Sequence, residues 1–279
     1  MICVVLQGGL GNQMFQYAAA RTLAERNNTN VVLDLSWFNQ EFDTSTTTPR
    51  HYELTCFRLD ATTEKYRSTA LQKLRLHRAK NYTEPHFHYD PSFTAIPKNA
   101  VINGYFQSEK YFSDIRRILL EDFSWIKEPK GKNKDLLKQI KSDLSSVSVH
   151  VRRGDYVSNE NAAKFHGLTG VEYYKAAVKQ VSKQVKKPNL YVFSDEPEWC
   201  KKNLKFAQRT TYISHNIEGS EDMRLMKACR HNIIANSSFS WWGAWLNTNP
   251  YKIVVAPKQW FSHSESNTKD VIPGSWHKL

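Results

Sequence analysis

The chain has 279 residues, of which 39 are Lys or Arg and 27 are Asp or Glu, so its formal net charge is +12. This balance favours anionic partners such as a membrane surface or a phosphorylated substrate. Nucleic acid is disfavoured as a partner because no helix-turn-helix, zinc-finger or ribonucleoprotein motif accompanies the charge. A membrane-spanning helix is not predicted, because no apolar run approaches the ~20 residues that such a helix needs.

The chain opens with a strand–helix–strand pattern. Apolar residues 2–6 predict a buried strand, a helical period follows at 13–25, and residues 31–35 predict a second strand. This order predicts a parallel sheet. Residues 39–66 are polar and rich in Thr, which predicts an irregular segment on the acceptor side. The residues expected on the core face of the helix are Met14, Phe15, Tyr17, Ala18 and Leu23.

A glycine-rich turn, Gly8-Gly9-Leu10-Gly11-Asn12-Gln13, joins the first strand to its helix. Its glycines allow a ligand to approach the backbone, and the following helix N-terminus favours negative charge. The turn imitates the dinucleotide fingerprint G-x-G-x-x-G, and Asp34 lies near the position of that motif's ribose-binding acid. Met14 occupies the third glycine position, where helix and strand must pack closely, so a nicotinamide cofactor is disfavoured.

Between residues 127 and 141 the composition shifts to Lys, Gly and Pro, which predicts a linker leading into a helix, and a second alternating series follows it. Strand–helix alternation on both sides of this linker predicts an α/β protein with two domains, at residues 1–140 and 141–279. The predicted strands of the second series are 147–151, 190–193, 212–213, 233–235 and 253–256, and the predicted helices are 171–185, 220–228 and 238–246.

The strand at 147–151 ends in the motif His150-Val151-Arg152-Arg153-Gly154-Asp155-Tyr156. Open α/β sheets bind ligands at the carboxyl ends of their strands, and the fork of an arginine matches a phosphate. The motif therefore predicts a site for a diphosphate. The alternative is a surface ion-pair cluster.

Two more strand ends carry polar residues. In Phe193-Ser194-Asp195-Glu196, the Asp195 carboxylate can accept hydrogen bonds from a guanine edge or a ribose, or it can cap the next helix. Ser238, Phe239 and Ser240 begin a predicted helix whose amide donors suit phosphate oxygens. The tryptophans of this helix, for which a core position is the first expectation, are Trp241, Trp242 and Trp245.

Metal-binding patterns are lacking in the sequence. No Asp-x-Asp occurs, and His86 and His88 have no matching cluster of Cys or carboxylate residues, so we predict no metal and no other cofactor. A diphosphate would then be neutralised by arginine and helix dipoles.

Five segments together resemble the α-1,2-fucosyltransferases of glycosyltransferase family 11. They are residues 8–17, 104–112 (Gly-Tyr-Phe-Gln-Ser-Glu-Lys-Tyr-Phe), 150–157, 193–196 and 236–245, and they follow the family's order along nearly the whole chain. The resemblance implies a GT-B architecture of two Rossmann-like domains, with the donor bound chiefly by the C-terminal one. It also implies an inverting transfer of L-fucose from GDP-β-L-fucose to the 2-hydroxyl of a terminal β-galactoside in a glycan.

The same resemblance assigns roles by position. Arg152 would contact the β-phosphate and Asp195 the nucleoside, while Gly11 and Asn12 would approach the fucose and phosphate from the N-terminal domain. Arg153 is alternatively expected to pair with Asp155. The implied GDP-fucose-binding residues are Gly11, Asn12, Arg152, Arg153, Ser194, Asp195, Ser238, Phe239 and Ser240.

Inversion with an alcohol acceptor favours a general base near the attacking hydroxyl. Asp155 is a candidate because it follows the arginines, and Glu160 because it has the spacing at which related core fucosyltransferases place their base. His150 and Glu172 are outside candidates, with a packed or surface role as the alternative. The catalytic candidates are Arg152, Asp155, Glu160 and His150.

Other functions stay open at this point. One is a non-catalytic module that binds nucleotide-sugars or glycolipid headgroups, and another is transfer to a different position or of a different GDP-linked sugar. The basic stretch 67–80 suggests peripheral contact with the inner membrane, and the alternative is a helix face exposed to solvent.

The apolar surroundings of Cys3 and Cys229 predict buried thiols. With no leader sequence at 1–6, we expect a bacterial cytoplasmic protein.

Overall fold

We describe the protein from a computed structural model, which covers residues 1–42, 49–64, 78–154, 167, 169–262 and 267–279. By its internal contacts the chain divides into two compact units. The first unit comprises Met1–Lys127 and Glu265–Pro273, and the second comprises Glu128–Ser264 and Gly274–Leu279.

The sheet of the first unit has five parallel strands in its described part, in the order β3-β2-β1-β5-β4. The strands are β1 (Ile2–Val5), β2 (Val31–Asp34), β3 (Thr62–Glu64), β4 (Lys80–Thr83) and β5 (Ala100–Asn103). The α-helices are α1 (Leu10–Asn27) and α2 (Arg116–Asp122), and short 3₁₀ helices lie at Ser36–Asn39, Leu54–Cys56, Pro91–Ala95, Glu109–Tyr111 and Ser113–Ile115.

Helix α1 begins at Leu10, earlier than the predicted start at Gln13. Gly9 precedes the helix in an extended conformation, and its carbonyl accepts hydrogen bonds from the backbone N–H groups of Asn12 and Gln13 at 2.9 and 3.1 Å. Residues 10–12 of the turn thus already belong to the helix, and Gly8 and Gly9 precede it. The five residues predicted on the core face are fully buried: Met14, Phe15, Tyr17, Ala18 and Leu23.

Strands β3, β4 and β5 were not predicted, and β3 lies inside the segment 39–66 that was expected to be irregular. The reason lies in their composition and length. β3 and β4 are edge strands of three and four mostly polar residues, so they lack the apolar alternation that predicts a strand. β5 pairs with β1 inside the sheet, but its apolar run, 100–102, is shorter than the runs at 2–6 and 31–35 that predicted β1 and β2.

The sheet of the second unit has six parallel strands in its described part, in the order β11-β10-β9-β6-β7-β8. The strands are β6 (Ser146–Val151), β7 (Asn189–Ser194), β8 (Thr210–Ile213), β9 (His231–Ile233), β10 (Val254–Ala256) and β11 (His277–Lys278). The helices are α3 (Gly131–Ser142), α4 (Val171–Ser182), α5 (Pro197–Asn203), α6 (Gly219–Ala228) and α7 (Ser238–Trp245). The predicted alternation is confirmed, and α5 and β11 are additions to it.

The division into units falls after Lys127, whereas the sequence interpretation placed it after residue 140. The difference is helix α3, which packs against α6 of the second unit. Its Asn133 Nδ2 donates a hydrogen bond to Asn216 Oδ1 at 2.7 Å, and its Ile140 is fully buried. A basic helix that follows a Pro- and Gly-containing stretch has the composition of a linker, but one buried face attaches it to the second unit.

The core of the second unit explains two of the residue predictions. All six residues of β6 are buried, so the strand that carries the arginine motif is fixed on both faces. Trp241 and Trp242 are fully buried and Trp245 is 3% exposed, which confirms the core role expected for them. Cys3, in the first unit, and Cys229 are both buried, as predicted.

Candidate functional site

The carboxyl ends of neighbouring strands bring the predicted residues of the second unit together. β6 and β7 are adjacent and parallel, and Val151 is the register partner of Ser194. Arg152 and Asp195 therefore leave the sheet side by side. Strand β9 lies on the other flank of β6, and the chain that follows it begins α7 at Ser238.

Asp195 holds the first arginine of the motif. Its Oδ2 lies 3.0 Å from Arg152 Nη1, and its Oδ1 accepts a hydrogen bond from the Arg153 backbone N–H, also at 3.0 Å. The side chains of the ion pair are 24% and 25% exposed, so the pair is only partly screened by water. A Cβ at Gly154 would lie 2.7 Å from Asp195 Oδ2, so a larger residue at this position would displace the carboxylate.

The second arginine is engaged differently. Arg153 Nε lies 3.1 Å from Glu196 Oε2, and its guanidinium stacks 3.7 Å above the centre of the Trp199 ring. Both interactions attach the arginine motif to the start of α5. The alternative partner considered for Arg153, Asp155, lies outside the described residues, as does Glu160.

Asp195 does not cap α5, which was the alternative role considered for it. Glu196 is the residue that precedes α5, and it makes no side-chain cap. Ser194 Oγ accepts a hydrogen bond from the Glu196 backbone N–H at 3.0 Å, which closes a turn. Asp195 pairs with Arg152 instead. The ion pair within the motif itself would use Asp155, which lies outside the described residues, so that alternative stays open.

His150 is buried beneath this edge. It is 5% exposed, its ring centre lies 5.3 Å from that of Phe239, and its Nδ1 has no hydrogen-bond partner. Burial lowers the pKa of His150 to about 4, although the Asp195 carboxylate opposes the shift and Arg152 adds to it. A histidine with this pKa is neutral at pH 7 and a weak proton acceptor, which argues against its role as the base.

The N-terminal turn of α7 supplies the third set of predicted residues. Ser238 and Phe239 are half-buried, and the Phe239 ring lies 3.3 Å from where a Cβ at Gly219 would be, at the start of α6. Ser240 is fully buried, and its hydroxyl donates to the Ser237 carbonyl at 3.3 Å. The side chain of Ser240 therefore supports the turn, and Ser238 and Phe239 are the more accessible members of the predicted set.

In the first unit, the glycine turn is held by Gln13, which the sequence interpretation did not single out. Gly8 has φ of +75°, a conformation that favours glycine. Gln13 Nε2 donates to the carbonyls of Gly8 and His51 at 2.8 Å each, and its Oε1 accepts from the Glu53 N–H at 2.9 Å. Gln13 thus ties the segment near residue 51 to the turn. The signal in the sequence was a polar side chain among the apolar residues of α1, where Gln13 and Gln16 are both fully buried.

The predicted residues Gly11 and Asn12 also lie at this turn. Gly11 is buried in the first turn of α1, and Asn12 is half-buried with its Oδ1 accepting a hydrogen bond from Gln107 Nε2 at 2.9 Å. Gln107 follows β5 and belongs to the motif at 104–112. The sequence interpretation used that motif for the resemblance and gave none of its residues a role.

Among the described residues, no three His, Cys, Asp or Glu side chains are arranged to hold a metal ion. The rings of His86 and His88 stack with their centres 3.5 Å apart. Within the same described ranges, no helix has the length and apolar character needed to cross a bilayer.

Comparisons with known proteins cover the whole chain. A sequence model described as glycosyl transferase family 11 matches residues 1–278. The O-antigen biosynthesis glycosyltransferase WbnK of Escherichia coli is 35% identical over 98% of this chain and 99% of its own. The alpha-1,2-colitosyltransferase of Escherichia coli is 34% identical over 98% and 97%, and the mouse galactoside 2-alpha-L-fucosyltransferase Sec1 is 25% identical over 88% and 64%.

Solved structures share the fold. The NodZ alpha-1,6-fucosyltransferase soaked with GDP-fucose superimposes with a TM-score of 0.51 and 16% identity, over 88% of this chain and 92% of that one. NodZ from Bradyrhizobium gives a TM-score of 0.50 and 14% identity, over 87% and 91%. The predicted fold class, α/β with two Rossmann-like domains of GT-B type, is confirmed.

Proposed function

The chain belongs to glycosyltransferase family 11, and from this membership we propose that it is an inverting α-1,2-fucosyltransferase. The proposed donor is GDP-β-L-fucose, and the proposed acceptor is the 2-hydroxyl of a terminal β-galactoside in an O-antigen, capsule or other glycan. Support comes from two relatives that cover almost the full chain, one named for O-antigen biosynthesis and the other for an α-1,2 linkage.

The observation that carries the proposal is the position of Arg152. The acceptor oxygen forms a bond to the anomeric carbon as the bond from that carbon to the β-phosphate oxygen breaks, so negative charge grows on the diphosphate. A guanidinium that is already oriented by the Asp195 carboxylate can stabilise that charge without reorganising during the reaction. In this account Arg152 is a catalytic residue and Asp195 is a positioning residue.

The N-terminal turn of α7 adds a second favourable field. Backbone N–H groups at a helix N-terminus bind phosphate oxygens. Helix α7 begins at Ser238, shortly after β9, and β9 is the neighbour of β6 in the sheet. We assign the diphosphate to Arg152 with Ser238 and Phe239. Together these groups would supply the neutralisation that a divalent cation provides elsewhere, so we propose that transfer needs no metal.

The acceptor proton must leave with the forming bond. We keep Asp155 and Glu160 as the proposed acceptors of that proton, because the buried, neutral His150 is a poor base. A comparison of pH–rate profiles for Asp155→Asn and Glu160→Gln chooses between them. Only loss of the true base should remove the acidic limb of the profile.

The donor sugar is the least determined part of the proposal. Colitose is L-fucose without its 3-hydroxyl, and one relative is named for its transfer. The purified chain should therefore be given GDP-L-fucose or GDP-colitose with lactose, in the presence of EDTA, and the product read by mass and linkage. We expect a fucosylated product linked to the galactose 2-hydroxyl, with release of GDP.

Other results of this assay select among the alternatives. A colitosylated product alone would support the proposed linkage but identify GDP-colitose, and not GDP-fucose, as the donor. Thermal stabilisation by GDP-sugar without GDP release in any combination would indicate a binding module. Product that disappears in EDTA and returns with a divalent cation would overturn the proposed metal independence.

We also propose a cytoplasmic location and peripheral contact of the protein with the inner membrane. Most of the basic stretch 67–80 lies outside the described residues, so the charge of the chain is the argument for contact. Co-sedimentation with vesicles of anionic or zwitterionic lipid tests it. Binding that is absent at low salt with anionic vesicles would remove the proposal.

A further inference from the structure

A strained backbone position in the first unit precedes Gln107. Phe106 has φ of +51°, in the left-handed region that residues with a Cβ rarely adopt. Its ring is fully buried, with centres 5.6 Å from Phe93 and 5.4 Å from Tyr111, so packing enforces the conformation. Strain of this kind persists only where the surrounding structure over-determines it, and it is concentrated at functional sites.

A carboxylate clamps the same turn. Glu84 Oε2 accepts hydrogen bonds from the backbone N–H groups of Tyr105 and Phe106 at 2.8 and 3.0 Å. A Cβ at Gly104 would lie 2.4 Å from Glu84 Cβ, so the close approach of the clamp requires glycine there. The packing of the Phe106 ring and the hydrogen bonds to Glu84 thus both fix the backbone just before Gln107.

The side-chain amide of Gln107 has a hydrogen-bond partner for its nitrogen but none for its oxygen. Gln107 is 6% exposed, and its Nε2 donates to Asn12 Oδ1 at 2.9 Å, but its Oε1 is buried without a hydrogen-bond partner. Buried side-chain oxygens are nearly always paired, so an unpaired one marks a place where a partner is to be expected. Asn12 in turn lies over the glycine turn, where a Cβ at Gly8 would be 2.5 Å from Asn12 Nδ2.

From these contacts we propose that Gln107, together with Asn12, binds a ring hydroxyl of a pyranose and determines which sugar is accepted. A neutral carboxamide both donates and accepts, which suits a hydroxyl better than it suits a phosphate or a cation. A site built to hydrogen-bond a hydroxyl strongly rejects the analogue that lacks it, because its own polar group is then left unpaired. This inference rests on the proposed glycosyl transfer, which can supply the hydroxyl from the donor or from the acceptor.

The test is a cycle of variants and deoxy-sugars. Values of kcat/KM are measured for GDP-fucose and its 2-, 3- and 4-deoxy analogues, and separately for a β-galactoside and its 3-, 4- and 6-deoxy analogues. The wild type should discriminate against one of these analogues by about a hundredfold or more. The position that shows the effect identifies whether the hydroxyl belongs to the donor or to the acceptor.

Gln107→Met keeps the length of the side chain and removes its polar atoms, so this discrimination should fall below about tenfold. Gln107→Glu keeps an accepting oxygen, and the Asn12 amide can turn to donate to the other carboxylate oxygen in place of the bond that it accepts in the wild type. This variant should retain the discrimination even where overall turnover drops, which separates a lost contact from lost packing. Gln184→Met, at an exposed site in the second unit, is the matched control and should behave as wild type.

Each outcome decides one question. Equal discrimination in the wild type, Gln107→Met and Gln107→Glu overturns the role of Gln107, and so does a wild type that accepts every deoxy analogue equally well. If Gln107→Met melts before the assay temperature, Gln107→Asn replaces it, because the shorter side chain withdraws the oxygen and should also lose discrimination. Failure of the wild type to transfer any sugar contradicts the proposed function itself, a result distinct from these.

Discussion

The Asp195 carboxylate contacts the Arg152 guanidinium at 3.0 Å from the end of the adjacent strand, and it accepts the N–H of the next residue, Arg153, as well. One carboxylate therefore fixes both the side chain and the backbone of the arginine motif. Because β6 is buried along its whole length, the motif starts from a rigid strand.

Replacing Arg152 with lysine keeps the positive charge and removes the planar fork of donors. Loss of a key donor to developing transition-state charge costs ~3–4 kcal/mol, so we expect kcat to fall by roughly a hundredfold to a thousandfold. Steady-state kinetics with GDP-fucose measure this. Arg117→Lys, at a side chain that is 93% exposed, should leave turnover unchanged. Turnover near that of the wild type in Arg152→Lys would remove Arg152 from the mechanism.

Asp195→Asn tests the positioning role. The substitution keeps the shape of the side chain but weakens a charge-assisted hydrogen bond, which contributes about 1.5–3 kcal/mol, so kcat should fall roughly tenfold to a hundredfold. The dissociation constant for GDP should change much less. The rival assignment, in which Asp195 contacts the nucleoside, predicts the reverse pattern: weakened GDP binding and a changed preference among nucleotide donors.

Gly154→Ala should disturb the same carboxylate from the other side. The added methyl would lie 2.7 Å from Asp195 Oδ2, and displacements of about 1 Å near a reacting group can cost about a hundredfold in rate. We expect a clear loss of kcat/KM with a small change in melting temperature. Gly170→Ala is the matched control, because a Cβ there meets nothing within 4 Å. Equal activity of the two variants would show that Asp195 need not stay where it is.

Burial of neutral His150 makes stability depend on pH. Unfolding exposes a histidine of ordinary pKa near 6.5, which binds a proton below that pH, while the folded ring stays neutral down to about 4. The contribution is therefore intact above about pH 6.5 and is lost as the pH falls towards 4, by roughly 3 kcal/mol in total.

Urea unfolding between pH 4.5 and 7.5 measures this slope. His150→Asn should have a shallower dependence than wild type in that window, whatever its absolute stability. His277→Asn, at an exposed position, should keep the wild-type slope. Parallel curves for the wild type and His150→Asn would contradict the buried, neutral state of His150.

The sequence predicts more of the second unit than of the first, for a physical reason. Apolar strands such as 147–151 and 190–193 are long enough to show their burial, and they alternate with amphipathic helices. In the first unit, β3 and β4 are short polar edge strands, whose place in the sheet is set by pairing with β2 and β5 and not by their own composition.

The site follows a similar division. The proximity of Arg152 to Asp195 could be predicted from the sequence, because both residues follow apolar strands of a parallel sheet. Their ion pair depends on the register of Val151 with Ser194, which no sequence pattern encodes. The contact of Gln107 with Asn12 was beyond reach, since it depends on a left-handed phenylalanine that only the folded aromatic cluster around it can enforce.

We propose that Arg152, held by the neighbouring Asp195 carboxylate, stabilises the departing diphosphate. The decisive measurement is a crystal structure of the chain with GDP. We expect β-phosphate oxygens within about 3.2 Å of the Arg152 guanidinium while the contact with Asp195 is retained. GDP bound at another place, with its β-phosphate away from Arg152, would contradict it.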